Sequence, residues 1–155
     1  MTEITVENDP YVLTPVDPVH YEVTFDGGAK AMGEGRVAGV GATLWGPPDA
    51  EGARGVLRTS RLALPEEQYA QVAEAWGCRL ALELVGKIKG RPSQVRIVGD
   101  NLAVVRFGAG EGRLQRAHMA ALIGPAIGAL HLRGWSLQWE AVRRRHFRYR
   151  IRYFF

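Results

Sequence analysis

Three carboxylates stand where a folded chain could bring them together: Asp26, Glu74 and Asp100. Asp26 closes a run in which Tyr21, Val23 and Phe25 alternate with Glu22, Thr24 and Asp26, the period of a half-buried strand. Asp100 closes the short apolar run Val95 to Gly99, which reads as a buried strand. If these two strands are parallel neighbours, both acids emerge at one edge, the end of an open sheet where sites form. Glu74 lies at the margin of a helical apolar face, in a stripe with Ala70, Gly77, Ala81 and Val85. A carboxylate against small apolar residues is costly to bury unless it is paired or bound to a metal. Small neighbours also let a helix approach a sheet closely. Read singly, each acid is more commonly a surface group or half of a local ion pair. Their joint placement points to one site. Glu51 and Glu83 read as solvated.

The elements that must position these acids follow from hydrophobic period. Residues 1–18 carry four acids and three prolines and read as a flexible leader. After the first strand, ended by Gly27-Gly28, a second fits Val37 to Trp45 and a third fits Gly55 to Leu62, an antiparallel meander. From Pro65 to about Val85 apolar residues recur every three or four positions, with Pro65, Glu66 and Glu67 suited to a helix start. The strand ending at Asp100 follows, then a short helix through Leu102, Val105 and Phe107. A longer helix covers Leu114 to Leu132, kinked or split at Gly124-Pro125. Trp135, Leu137 and Trp139 alternate with polar residues as a fifth strand. The order βββαβαβ predicts an α/β domain over residues 19–142, a five-stranded mixed sheet with helices packed on it.

The chain has 155 residues, room for one domain with a real core. No apolar stretch is long enough to span a bilayer. The lone Cys78 forms no internal disulfide, sits on the apolar side of its helix and reads as a core filler. A cytoplasmic protein without a membrane partner is the expectation. The net charge of +4 is unevenly spread: residues 143–155 hold six arginines and no acid, so residues 1–142 sum to −2. A basic tail of this kind suits a polyanion, because each arginine that neutralises a phosphate releases a counterion; a solvated terminus accounts for the charge equally well. Phe147, Tyr149, Ile151 and Tyr153 alternate with Arg148, Arg150 and Arg152 as a strand with one basic face. Phe147, Ile151, Phe154 and Phe155 equally share one side of a helix. Aromatic and β-branched enrichment favours the strand.

Phe25-Asp-Gly-Gly-Ala-Lys30, the glycine-rich link through Gly33 and Gly35, and Val40-Gly-Ala-Thr-Leu-Trp45 resemble the opening hairpin of ribonuclease H-type domains. Ala73-Glu-Ala resembles the family's first-helix acid segment, and Val95-Arg-Ile-Val-Gly-Asp-Asn101 its fourth strand with the attached acid. The resemblance spans roughly residues 20–142. It implies a divalent-metal endonuclease that hydrolyses the RNA strand of RNA–DNA hybrids with two Mg²⁺ or Mn²⁺ ions. Asp26 would bridge the ions, with Glu74 and Asp100 each holding one side. The products would carry a 3′-hydroxyl and a 5′-phosphate, and loops 27–35 and 68–73 would select the RNA strand through its 2′-hydroxyl. The pattern departs in one place: the family's further helix carries a fourth carboxylate, and by register it falls near Ile151 or Arg152. No acid follows Glu140. This departure puts full activity in question and leaves two alternatives within the fold: a non-catalytic nucleic-acid-binding module, or a structure-selective DNA nuclease of the junction-resolvase type.

The candidate nucleic-acid contacts are Arg143, Arg144, Arg145, Arg148, Arg150 and Arg152. His146 is a candidate proton shuttle, weighed against a plain surface histidine. Gly33-x-Gly35-x-x-Ala38 matches a relaxed dinucleotide fingerprint but joins two strands, which excludes it. Gly108, Gly110 and Gly112 follow one helix and precede another, the setting of a loop. The four tryptophans read as core or sheet-face residues.

Overall fold

The computed structural model describes residues 2–6, 21–32, 35–64, 70–114, 117–142 and 149–153. Its strands are β1 (Thr2–Val6), β2 (Tyr21–Met32), β3 (Gly35–Trp45), β4 (Val56–Leu64), β5 (Gln94–Gly99), β6 (Ser136–Val142) and β7 (Tyr149–Tyr153). The helices are α1 (Ala70–Gly86), α2 (Leu102–Gly108) and α3 (Ala117–Leu132). From β2 to β6 the order is βββαβααβ, the expected βββαβαβ with the short helix α2 counted beside α3.

All strands join one sheet in the order β1-β7-β6-β5-β2-β3-β4. β2 pairs antiparallel with β3, and β3 with β4, which is the meander. β5 lies parallel between β2 and β6. Val23 and Phe25 of β2, Val95 and Ile97 of β5, and Leu137 and Trp139 of β6 form one buried face. α1 covers it with Val72, Ala73, Ala81 and Val85, and Val105 and Ile123 of α2 and α3 complete the core.

Several expectations need correction. The five predicted strands are joined by two more. Thr2–Val6, within the predicted flexible leader 1–18, is a strand paired with β7. Its β-branched Thr2, Ile4, Thr5 and Val6 favour extended backbone once a partner strand is present. Over 149–153 the tail is a strand, antiparallel to β6 on its other side. Gly27-Gly28 does not end β2: the ladder continues, with Gly27 opposite Val40 and Gly28 opposite Gly39. α3 is one helix with Pro125 inside it. Pro125 is exposed, so its ring meets solvent, and the Arg79 guanidinium donates to the Leu122 carbonyl at 2.9 Å in the turn the proline disturbs. The predicted helix start at Pro65, Glu66 and Glu67 lies outside the described residues.

The second face of the sheet is not the solvated surface that alternation implies. Glu22, Arg96 and Glu140 occupy its polar positions and are buried. The Arg96 Nε lies 3.5 Å from a Glu140 carboxylate oxygen. Beside them Arg54 donates to the Gly46 carbonyl at 2.8 Å. Burial lowers the pKa of Arg54, an effect opposed by the Glu22 charge and reinforced by that of Arg96.

Candidate metal centre

Asp26 and Asp100 reach one place because β2 and β5 run parallel with Phe25 opposite Gly99. Each acid is the next residue along the chain, Asp26 within β2 and Asp100 just past β5, so the two stand side by side where β5 ends. Gly99 makes the approach possible: a Cβ there would lie 2.3 Å from the Phe25 ring, which fills that space. Asn101 fixes the turn after Asp100. Its side chain accepts from the Val104 amide at 3.0 Å and caps α2.

Glu74 arrives from α1. That helix crosses β2 so closely that a Cβ on Gly77 would sit 3.1 Å from the Asp26 carbonyl oxygen. Gly77 lies almost one turn beyond Glu74, so this crossing sets the height of the acid above the strand. The close approach expected of the small-residue stripe is therefore made by one glycine. Glu74 is buried at 7% exposure between Ala73 and Ala75, each 0% exposed.

The outcome is a tight acidic group. One carboxylate oxygen from each of Asp26, Glu74 and Asp100 lies within 4.8 Å of the others. Asp26 is exposed, Asp100 half-buried and Glu74 buried, so the group opens to solvent on the Asp26 side. Three anionic oxygens at this separation repel one another unless a cation lies among them. A set of oxygen donors alone suits a hard divalent ion such as Mg²⁺ or Mn²⁺. The residues fit such an ion.

The remaining candidates fare differently. Arg143, Arg144, Arg145, His146 and Arg148 lie outside the described residues, as do Gly33 and parts of loops 27–35 and 68–73. Arg150 and Arg152 lie on β7, in register with Val142 and Glu140 of β6. Where the family resemblance puts a helix and a fourth acid, this chain has a strand. Cys78 is fully buried in the core, and its thiol pKa is pushed far up, first by burial and then by the Glu74 charge. Gly110 takes a left-handed φ of 82° in the link between α2 and α3, as a turn residue does. Sequence reasoning missed Gly99, Asn101 and the buried Glu22, Arg96 and Glu140. An Asn just before an apolar helical run was the readable signal for the cap. The buried charges left no such signal.

No protein-family model matches the sequence, and no curated protein does. Solved structures do match. The N-terminal RNase H domain of Rv2228c from Mycobacterium tuberculosis, solved as a fusion with maltose-binding protein, aligns with TM-score 0.65 and 24% identity, covering 82% of this chain and 84% of that one. RNase H1 from the halophilic archaeon Halobacterium salinarum aligns with TM-score 0.58 and 20% identity, over 81% and 87% of the two chains. LC11-RNase H1 in complex with RNA/DNA hybrid aligns with TM-score 0.57 and 20% identity, over 81% and 86%.

Proposed function

We propose, from the premise that this chain is an RNase H-like domain over 82% of its length, that it is a divalent-metal-dependent endonuclease cutting the RNA strand of RNA–DNA hybrids. The observation that carries the reading is the convergence of Asp26, Glu74 and Asp100, oxygens within 4.8 Å, in a group that opens to solvent on the Asp26 side. The hybrid as substrate is supported by the likeness to a domain solved with RNA/DNA hybrid bound.

Asp26, Glu74 and Asp100 would hold the metal, in keeping with two Mg²⁺ or Mn²⁺ ions. When bound, such ions supply charge neutralisation at the scissile phosphate and a more acidic water. The chain's own residues do the positioning. Gly77 and Gly99 hold the three acids at fixed separation, and burial of Glu74 keeps its carboxylate in one orientation. Exposure of Asp26 leaves the phosphate an approach from solvent. The arginines of the tail, Arg143, Arg144, Arg145, Arg148, Arg150 and Arg152, would grip flanking phosphates, and His146 would return a proton to the leaving oxygen. The same reading places the nuclease function on residues 19–142, with residues 2–6 and 149–153 joining that sheet as β1 and β7.

The test is one gel. Labelled RNA–DNA hybrid, duplex RNA, duplex DNA and a four-way junction are incubated with Mg²⁺ or Mn²⁺, using wild type and Asp26→Asn. Metal-dependent cleavage of the hybrid alone, lost by orders of magnitude in Asp26→Asn, is the expected result. Cleavage of the junction alone would replace this reading with a resolvase.

A second reading has its own observation: after Glu140 the chain has no carboxylate, and over 149–153 it is a strand. A non-catalytic hybrid-binding module would bind without cutting under either metal.

A further inference from the structure

Asp26 does not stand alone in its row of the sheet. Asp26 on β2 is opposite Gly41 on β3, and Gly41 is opposite Arg61 on β4. Residues opposite one another in a ladder present their side chains on the same face. Arg61 therefore shares a face with Asp26, two inter-strand steps or about 10 Å away. What lies between is a glycine with room to spare: a Cβ on Gly41 would meet nothing nearer than a backbone oxygen at 3.8 Å. The next row continues the open floor, with Gly28 opposite Gly39 and Gly39 opposite Ala63. A Cβ on Gly39 would meet nothing within 4 Å.

Arg61 is exposed. Its strand, at the edge of the sheet, has no Asp or Glu; Arg58 is its other cation. Arg58 is also exposed, but it is opposite Leu44, a core residue. The two arginines are three positions apart and so belong to opposite faces. Only Arg61 stands in the row of Asp26.

We propose that Arg61 is a substrate-binding residue that holds a phosphate of the strand bound at Asp26, one or two nucleotides from the scissile linkage, with that strand lying over Gly41. The inference rests on the nuclease reading and gives it a direction: the cleaved strand leaves the acidic group toward β4. At about 10 Å, Arg61 is too far from Asp26 to take part in the metal site and far enough to take a neighbouring phosphate. Guanidinium suits that role because its planar fork grips two phosphate oxygens at once. The missing side chain at Gly41 keeps the path shallow enough for a sugar–phosphate backbone to cross the sheet. Register is set in this way without adding charge to the metal site.

The experiment compares wild type, Arg61→Ala, Arg61→Lys and Arg58→Ala. Binding of a fluorescent hybrid is measured without metal over a series of salt concentrations, and cleavage is measured with Mg²⁺. Arg61→Ala should weaken binding several-fold, reduce the slope of log affinity against log salt by about one, and raise KM more than it lowers kcat. Arg61→Lys should restore the salt slope, while its cleavage products spread over neighbouring positions. Arg58→Ala should match wild type in every measurement. Equal effects of the two alanine variants, or none from either, overturn the proposal while hybrid cleavage by wild type keeps the nuclease reading intact. Wild type that neither binds nor cuts the hybrid overturns both.

Discussion

Gly77 is the point at which α1 meets the strand that carries Asp26. Its missing Cβ lets α1 rest on the Asp26 backbone, whose carbonyl oxygen would lie 3.1 Å from a Cβ built there, and backbone yields less than a side chain would. Gly77→Ala should therefore lift α1 and part Glu74 from Asp26. The expected cost is about 1–3 kcal/mol of stability, read by urea denaturation, with weaker Mg²⁺ binding in calorimetry. A folded Gly77→Ala variant with unaltered Mg²⁺ affinity would show that the close crossing does not set the metal site. Asp26→Asn acts in the other sense. It removes one of three mutually repelling charges, so the metal-free variant should melt higher than wild type, and Mg²⁺ should stabilise it less. Cys78 offers a pH-dependent readout of the same helix. Burial, helped by the Glu74 charge, raises its thiol pKa, so the folded state keeps the proton that the unfolded chain releases above about pH 8.5. The stability it contributes is complete below that pH and declines as pH rises further. Iodoacetamide should leave Cys78 unmodified in the folded protein at about pH 8 and label it in denaturant.

At the scale of elements, β5 and β6 are joined twice, by their parallel ladder and by the Arg96–Glu140 ion pair. Both side chains are almost wholly buried, at 7% and 1% exposure. Removing one partner takes a counter-charge from the other in a medium that solvates it poorly. Glu140→Ala should cost roughly 3–5 kcal/mol, whereas an Arg96→Met, Glu140→Leu double variant should recover most of that loss. Urea midpoints at constant slope decide the matter. A single variant as stable as the double one would mean that the pair is effectively solvated. Glu140 is also in register with Arg152 of β7. The same ladder places Arg150 opposite Val142, one residue beyond the Gly99–Ala141 pair that closes β5 against β6.

For the molecule as a whole, the charge division along the chain does not set the basic segment apart from the sheet. The basic segment is not an appendage over 149–153, where it lies as a strand between β6 and β1. Deleting residues 143–155 would strip both neighbours of their shared ladder. That deletion should lower the melting temperature as well as weaken binding, which confounds charge with structure. Arg150→Gln with Arg152→Gln tests the charge alone. It should flatten the salt dependence of hybrid binding by about one to two in slope, since each phosphate that an arginine neutralises adds about −0.9. An unchanged slope in a folded double variant would remove these two arginines from the phosphate-binding set. Among the described residues no helix is long and apolar enough to cross a membrane.

Period and turn chemistry carried much of this fold. The alternation at Tyr21 to Asp26, the three-to-four spacing from Tyr69 to Val85 and the buried run at Val95 to Gly99 each reflect a local constraint, so sequence alone determined the order of elements from β2 to β6 and named the acids, although Asp26 proved to lie inside a strand that runs on to Met32. The edge strand β1 was not legible, because a short stretch is extended only when another strand pairs with it, and that partner lies at the other end of the chain. The continuation of β2 through Gly27-Gly28 was hidden for the same reason: the ladder with β3 holds glycines that would end an isolated strand. Likewise, nothing local to Glu22, Arg96 or Glu140 distinguishes a buried charge from a solvated one, since burial depends on what packs over the face. The sequence named Asp26, Glu74 and Asp100 as candidates. Their meeting within 4.8 Å was decided by parallel pairing of β2 with β5 and by the glycine at which α1 touches the sheet, because those segments are distant along the chain and only the tertiary structure brings them together.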